Sequence, residues 1–214
     1  MIERVYRQAE KSDLDKIVVA TDDDRIANCV KNFGGNVVMT SPDLPSGTDR
    51  CRSAIEESGI VAKYVVNIQG DEPMIDPQQI NMVLRLLRSH AVNIATLISP
   101  ALSSEEVENE NRVKVVTDRN GKALYFSRLP IPFSKSKDFQ ISLYHIHLGI
   151  YGFNVRTLME LGELNTGQLE RSESLEQLRW LENGYTIYTA KTTERADSVD
   201  TPEDLDNIEK KYFL

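Results

Sequence analysis

The chain predicts an α/β fold built on a mostly parallel, doubly wound sheet. Three observations lead there. In the first half, short apolar runs alternate with stretches of helical periodicity, the βα rhythm of a parallel sheet. The run Val65-Val66-Asn67-Ile68 is nearly continuous in apolar character rather than alternating, as expected of a strand buried on both faces. That run stops at Gln69-Gly70-Asp71-Glu72-Pro73, which sets two carboxylates at the carboxyl end of a strand, where open α/β sheets bind their ligands. Gly70 is expected to permit a tight turn that a Cβ would hinder, and Pro73 marks the exit from the strand.

Taken in order, residues 2–11 read as helix and Lys16-Ile17-Val18-Val19-Ala20 as strand. Asp22 or Asp23 suits the N-cap of a helix whose apolar face is Ile26, Ala27, Val30 and Phe33. Gly34-Gly35 ends that helix, and residues 36–39 form the next strand. Residues 40–49 are a Pro/Gly/Ser loop, followed by a helix through Ala54 and Ile55. After the strand at 65–68, Asp76-Pro77 opens a helix striped by Ile80, Val83, Leu84 and Leu87. The second half differs in texture. Residues 113–117 and 123–127 flank Asp118-Arg119-Asn120-Gly121, a hairpin signal ending in Asn-Gly. Residues 129–136 are a Pro-rich ordered loop over the site or at an edge, 147–153 a strand, 169–181 one helix, and 185–190 a strand. Asp200-Thr201-Pro202 opens the terminal helix, with Asp200 as its N-cap.

With 214 residues the chain can bury a full core, and residues 1–214 are expected to form a single domain with room for a small appended lobe. A net charge of −8 argues against a nucleic-acid backbone as main partner, though a nucleotide met by a metal and a few local cations is compatible with it. No apolar run approaches the ~18 residues of a membrane span and no signal peptide is visible, so the expected compartment is the cytoplasm. Cys29 and Cys51 lack metal-ligand spacing and read as free thiols. No Ser-His-Asp signature, CxxC pair, HExxH or GxGxxG occurs, which leaves hydrolase, zinc and dinucleotide readings without support.

Asp71, at a strand end, is a natural anchor for Mg2+, which takes one or two protein carboxylates and fills its remaining positions with phosphates and water. Asp200 is a second candidate ligand; the two acids suit one Mg2+ bound to a triphosphate, although a capping role accounts for Asp200 as well. In Ser46-Gly47-Thr48-Asp49-Arg50, small residues allow close backbone approach to a base or phosphate and Arg50 offers a planar donor fork. A turn with a capped helix explains the same spacing. His147 and Tyr151 lie four apart on a strand and project to one face; with Arg128 they suit a polyhydroxylated, carboxylate-bearing substrate. Glu170, Glu173 and Glu176 recur every third residue, the ordinary pattern of a solvated helix side.

Six blocks then stand in a familiar order: Ser46-Gly47-Thr48-Asp49-Arg50, Gln69-Gly70-Asp71-Glu72-Pro73, Ala123-Leu124-Tyr125-Phe126-Ser127-Arg128, His147-Leu148-Gly149-Ile150-Tyr151, Leu175-Glu176-Gln177-Leu178-Arg179 and Val199-Asp200-Thr201-Pro202-Glu203-Asp204-Leu205. Together they resemble the 3-deoxy-manno-octulosonate cytidylyltransferase (CMP-Kdo synthetase) family. The resemblance implies a nucleotide-diphospho-sugar transferase fold with a small mixed β/helix substrate and dimerisation region, in a homodimer. It implies a reaction in which CTP and the acid sugar Kdo give CMP-Kdo and pyrophosphate, supplying lipopolysaccharide biosynthesis. By motif position Asp71 and Asp200 correspond to the Mg2+ ligands and catalytic carboxylates, and Ser46, Gly47 and Arg50 to part of the cytidine pocket. Gln69, Arg128, His147, Tyr151, Glu173 and Gln177 correspond to the Kdo side. Neither nucleic acid nor membrane is implied as a partner.

Two departures accompany the resemblance. The family opens with a strand and a basic loop of the form P-A-R-x-x-S-x-R-L-P-G-K-P, whereas this sequence matches only from Met1-Ile2-Glu3-Arg4-Val5 onward. The expectation drawn from this is an N-terminally truncated chain, with Met1 an internal methionine of a longer protein and the shorter form a weak CTP binder or an inactive remnant. Ile146 stands where relatives commonly carry a basic residue, which leaves open a related acidic sugar, a nonulosonate or 8-amino Kdo.

Overall fold

A computed structural model describes residues 1–89, 92–135, 140–196, 198–199 and 201–212. Element order begins α1 (Ile2–Ala9), β1 (Val19–Thr21), α2 (Asp24–Asn32), β2 (Val37–Met39), α3 (Gly47–Ser58), β3 (Tyr64–Asn67) and α4 (Pro77–Arg88). It continues β4 (Ile94–Pro100), α5 (Ser104–Glu108), β5 (Lys114–Thr117), β6 (Ala123–Ser127), β7 (His145–Asn154), α6 (Val155–Leu161), α7 (Gln168–Glu173), α8 (Gln177–Glu182), β8 (Ile187–Lys191) and α9 (Pro202–Tyr212). The chain packs as two units: Met1–Ala62, Asn67–Asn81 and Glu194–Leu214 form the first, and Lys63–Val66 with Met82–Thr193 the second.

In the first unit β1 and β2 pair in parallel, Val19 opposite Val37 and Thr21 opposite Met39. Of the two possible caps for α2, Asp23 takes the role, its carboxylate accepting from Arg25 N at 2.7 Å. Gly34, at φ +80°, closes the same helix in the left-handed region, as the Gly-Gly pair predicts. Helix α1 buries Val5, Tyr6 and Ala9. Tyr6 Oη accepts from both Asn36 N and Asn36 Nδ2 at 3.2 Å, so the start of β2 is stitched to α1. Gln8 Nε2 donates to Ile75 O at 2.9 Å and Asp13 N to Asn81 Oδ1 at 2.8 Å, which tie the same helix to the turn after β3 and to α4.

The second unit is built on a sheet ordered β6-β5-β7-β4-β8, with β3 also paired to β7. β4 and β8 are parallel, while β4–β7, β5–β6 and β5–β7 are antiparallel. The α/β class therefore holds, with a mixed sheet where the second half of the chain changes texture. The hairpin forms at the expected place: Gly121 adopts φ +80°, and Asp118 N donates to Lys122 O at 2.8 Å. The predicted stripe of α4 is buried throughout, at Ile80, Val83, Leu84 and Leu87. Its seat is Gly152, where an added Cβ would stand 2.4 Å from Val83 Cγ1 and 2.7 Å from Leu87 Cδ1; only glycine admits the helix so close.

Several expectations need correction. α3 starts inside the expected loop, at Gly47, because Ser46 caps it. The single helix expected over 169–181 is two, broken at Ser174, which holds φ +51°. At the start of α9 Asp204 N donates to Thr201 Oγ1 at 3.2 Å and Thr201 N to Asp204 Oδ2 at 2.8 Å, a reciprocal capping pair; Asp200, the expected cap, lies outside the described residues. Gly70 carries no left-handed φ, and a Cβ there would meet only Ile2 Cδ1, at 3.9 Å, so the turn itself does not demand glycine. β4 is absent from the sequence-based elements, although the chain from Ile94 to Ser99 is buried along its whole length.

Candidate active site

In the first unit the end of β3 gathers three pieces of the chain. Asn67 is buried there, and half-buried Gln69 and Asp71 follow in the turn to α4. The first carbon of a side chain at Gly47 would lie 3.4 Å from Asn67 Nδ2 and 3.4 Å from Gln69 Nε2, so the start of α3 abuts this turn. From the far end of the sequence, Val199 N donates to Asp71 O at 2.8 Å. Asp200, the second expected metal ligand, lies outside the described residues.

The Ser46 hydroxyl is engaged locally: it accepts from Asp49 N at 3.0 Å and donates to Asp49 Oδ2 at 2.8 Å. The capped-helix reading of this motif is therefore real, and the close approach of Gly47 to Gln69 exists beside it. Arg50, in the first turn of α3, donates from Nη1 to Thr40 Oγ1 at 2.7 Å and stands 3.4 Å from Asp22 Oδ1. Asp22 follows β1 and Thr40 follows β2, so two strand ends hold one guanidinium.

In the second unit Arg128, Glu173, His147, Tyr151 and Gln177 are found on β6, α7, β7 and α8 or just beyond them. Glu173 is not on a solvated face: its Oε1 accepts from Ser127 Oγ at 2.9 Å and its Oε2 from Arg128 N at 2.9 Å. Glu170 pairs with Arg179 at 2.5 and 2.7 Å, with side chains only 12% and 11% exposed. Glu176 is half-buried, and its charge joins burial in raising the Tyr151 hydroxyl well above its ordinary value. The Arg128 guanidinium donates from Nε to Glu173 O at 2.7 Å, from Nη2 to Ser174 O at 3.2 Å and from Nη1 to Glu110 O at 3.1 Å. It thus satisfies carbonyls left open where α7 ends, and keeps a further N–H on each terminal nitrogen.

His147 and Tyr151 share a face, as their spacing predicts, with ring centroids 5.1 Å apart. A bulge opposite Thr96/Leu97 intervenes between them, and Thr96 Oγ1 lies 3.0 Å from His147 Nε2. Burial pushes His147 down to about 3, so its imidazole is neutral at physiological pH and acts by hydrogen bonding rather than by charge. Tyr151 packs edge-on against Trp180 at 5.1 Å, and its buried hydroxyl has no hydrogen-bond partner among the described residues. A buried hydroxyl without a partner is uncommon in a finished fold, and Ser99 Oγ is the other such group among the described residues. Gln177, 5% exposed, begins α8. Ile146 lies on the opposite face from His147, packed with Ala101, Val107 and Tyr144. Its apolar character is explained by that cluster, which removes the argument from Ile146 for a different sugar.

Thr96, Lys114 and Ser127, which the sequence reading did not single out, contact His147, Arg128 and Glu173 respectively. Lys114 is fully buried, and its Nζ donates to Asn109 O at 2.8 Å and to Arg128 O. A lysine within an apolar strand run was the available signal. The carboxylate oxygens of Asp71 are the hard donors that Mg2+ prefers; no group of three or more His, Cys, Asp or Glu that could hold an ion occurs among the described residues. Of the two expected ligands, Asp71 is the one that lies among the described residues. Among the described residues no helix is long and apolar enough to cross a membrane.

This fold, with a strand-end carboxylate beside a glycine-led helix start, is that of a nucleotidyltransferase. Residues 1–192 match the model of the cytidylyltransferase family, and the chain belongs to that family. Curated relatives named 3-deoxy-manno-octulosonate cytidylyltransferase include those of Parabacteroides distasonis, 45% identical over 96% of this chain and 85% of the relative, and Bacteroides thetaiotaomicron, 46% identical over 98% and 86%. A solved CMP:2-keto-3-deoxy-manno-octonic acid synthetase complexed with CTP superposes with a TM-score of 0.92 at 36% identity, covering 98% of this chain and 86% of the other. A glucose-1-phosphate thymidylyltransferase from Bacillus anthracis, 14% identical with a TM-score of 0.64, shares the fold alone.

Proposed function

We propose that this chain joins CTP and Kdo to give CMP-Kdo and pyrophosphate. The observation that carries the reading is the convergence of the α3 start, the Gln69–Asp71 turn and the segment before Asp200 at the end of β3. It occurs in a chain whose curated relatives bear that activity over nearly its full length. The family match also runs through both units, which supports one nucleotidyltransferase domain over residues 1–214.

In this reading Ser46, Gly47 and Arg50 form part of the cytidine pocket. The anomeric hydroxyl of the sugar attacks the α-phosphate in line, one P–O bond forms as the bond to pyrophosphate breaks, and the hydroxyl proton is released. Asp71 and Asp200 would hold a Mg2+, which when bound supplies electrostatic stabilisation of the phosphate oxygens. Gln69, Arg128, His147, Tyr151, Glu173 and Gln177 orient the acid sugar. Arg128 offers its remaining N–H groups to the carboxylate, neutral His147 and protonated Tyr151 to hydroxyls, and the unpaired Tyr151 hydroxyl gains its missing partner. No covalent enzyme intermediate is needed, because positioning and electrostatics supply the catalysis.

The same reading places the protein in the cytoplasm, providing activated sugar for lipopolysaccharide, and makes it a homodimer. Exposed apolar side chains at Leu124, Leu129, Phe133 and Leu143 support a partner surface. The test is pyrophosphate release with CTP and a panel of acid sugars, before and after chelation and Mg2+ return, with sedimentation for the dimer. Release with Kdo is expected. Preference for a nonulosonate or 8-amino Kdo, or no release with any acid sugar, would overturn the assignment.

A further inference from the structure

Lys114 sits in β5 with no solvent exposure, where a leucine or methionine would fill the strand position without placing a charge in the interior. Its ammonium donates to two backbone carbonyls, Asn109 O and Arg128 O. The Arg128 guanidinium in turn reaches Glu110 O, one residue beyond Asn109, and Glu173 O and Ser174 O across the helix break. Arg128 N holds Glu173 Oε2. The two cations thus brace three chain segments, 109–110, 127–128 and 173–174. Burial and, to a smaller extent, the nearby Arg128 charge lower the Lys114 ammonium, while the charges of Glu110 and Glu173 sustain it.

We propose that Lys114 is a positioning residue for the sugar side of the reaction, aiming Arg128 and Glu173 by holding the backbone between them. The inference rests on the reading that Arg128 and Glu173 face the acid sugar. A lysine that merely filled space would be replaceable by any side chain of its volume. One that fixes the direction of a donor fork is not, since small misplacements of binding groups carry large consequences.

The experiment is calorimetric titration of Kdo in the presence of an α,β-methylene analogue of CTP, and of that analogue alone, using the unsubstituted chain, K114M, R128A and the double variant. K114M is expected to weaken Kdo at least about tenfold while leaving the nucleotide analogue within about twofold. In the double variant, K114M is expected to add less than about threefold to the loss caused by R128A, because the lysine acts through the arginine. Equal weakening of both ligands by K114M, or full multiplication with R128A, would overturn the proposal. If K114M does not fold, K114R, which retains the charge, carries the same comparison: a loss confined to Kdo supports the proposal, and an equal loss for both ligands overturns it. Failure of the sugar-side reading is separately visible, as R128A leaving Kdo affinity unchanged or as an unsubstituted chain that does not bind Kdo. Either result overturns the inference as well.

Discussion

The two units solve the problem of holding polar groups in opposite ways. Around Asp71 the chain supplies mainly backbone: a carbonyl accepts from Val199, the start of α3 abuts the turn at Gly47, and the carboxylate stands there only half-buried. Around Arg128 and Glu173 the side chains bond one another's backbones, and aromatic rings close over His147 and Tyr151. The first arrangement leaves its carboxylate half-exposed. The second satisfies most of its polar groups within the chain, the Tyr151 hydroxyl being an exception. The proposed function would account for the contrast, because a triphosphate brings charge that an ion can organise, whereas a sugar must be oriented by fixed hydrogen bonds.

Four substitutions or conditions test the contrast, the largest effect first. Trp180→Ala removes a ring 1% exposed that packs on Tyr151 and Phe153, and is expected to cost about 3–5 kcal/mol of stability, read from denaturant midpoints. Asp71→Asn is expected to lower kcat by about 10²–10³-fold with a melting temperature within about 2 °C of the original. If Asp71→Asn instead destabilised the chain as Trp180→Ala does, the division between an open corner and a finished pocket would fail.

The third test is pH. His147 takes a proton only at about 3 when folded, but at its ordinary 6.5 when unfolded, so between those values the unfolded chain binds more protons. Stability is therefore full above 6.5 and falls as pH drops through that window, by up to about 1.4 kcal/mol per unit from this group. Thermal melts between pH 7 and 5 should show the loss, and His147→Gln should flatten it. The smallest effect is Gly70→Ala, expected to shift stability by less than about 0.5 kcal/mol because the turn does not need a left-handed residue. A large loss of stability there would mean that the open corner is as tightly packed as the pocket.

Much of the architecture was legible because its causes are local. The α4 stripe, the Asp-Arg-Asn-Gly hairpin and the Gly34 stop each follow from periodicity or turn chemistry within a few residues. What escaped has distant causes. The acid run at Glu170, Glu173 and Glu176 looks solvated along the chain, and only partners 45 and 46 residues away, at Arg128 and Ser127, show otherwise for Glu173. The helix break at Ser174 is stabilised by the same Arg128, so local propensity could not reveal it. β4 is a buried run too short for periodicity to separate strand from helix. Within the site, the strand-end carboxylate and the His147–Tyr151 face were readable from spacing, but the placement of Lys114 and the orphaned Tyr151 hydroxyl required three dimensions.

The left-handed residue at Ser174 has one more consequence, in helical phase. On an unbroken helix Glu170 and Arg179, nine residues apart, would be separated by about 13.5 Å along the axis and would point in opposite directions. Here they form a bidentate pair at 2.5 and 2.7 Å. The break resets the phase, so acids spaced as if along one face are dealt to separate tasks: Glu170 to its clasp with Arg179, Glu173 to the end of β6. A substitution that restored a continuous helix through 174 would scatter those directions even if every side chain in the run were retained.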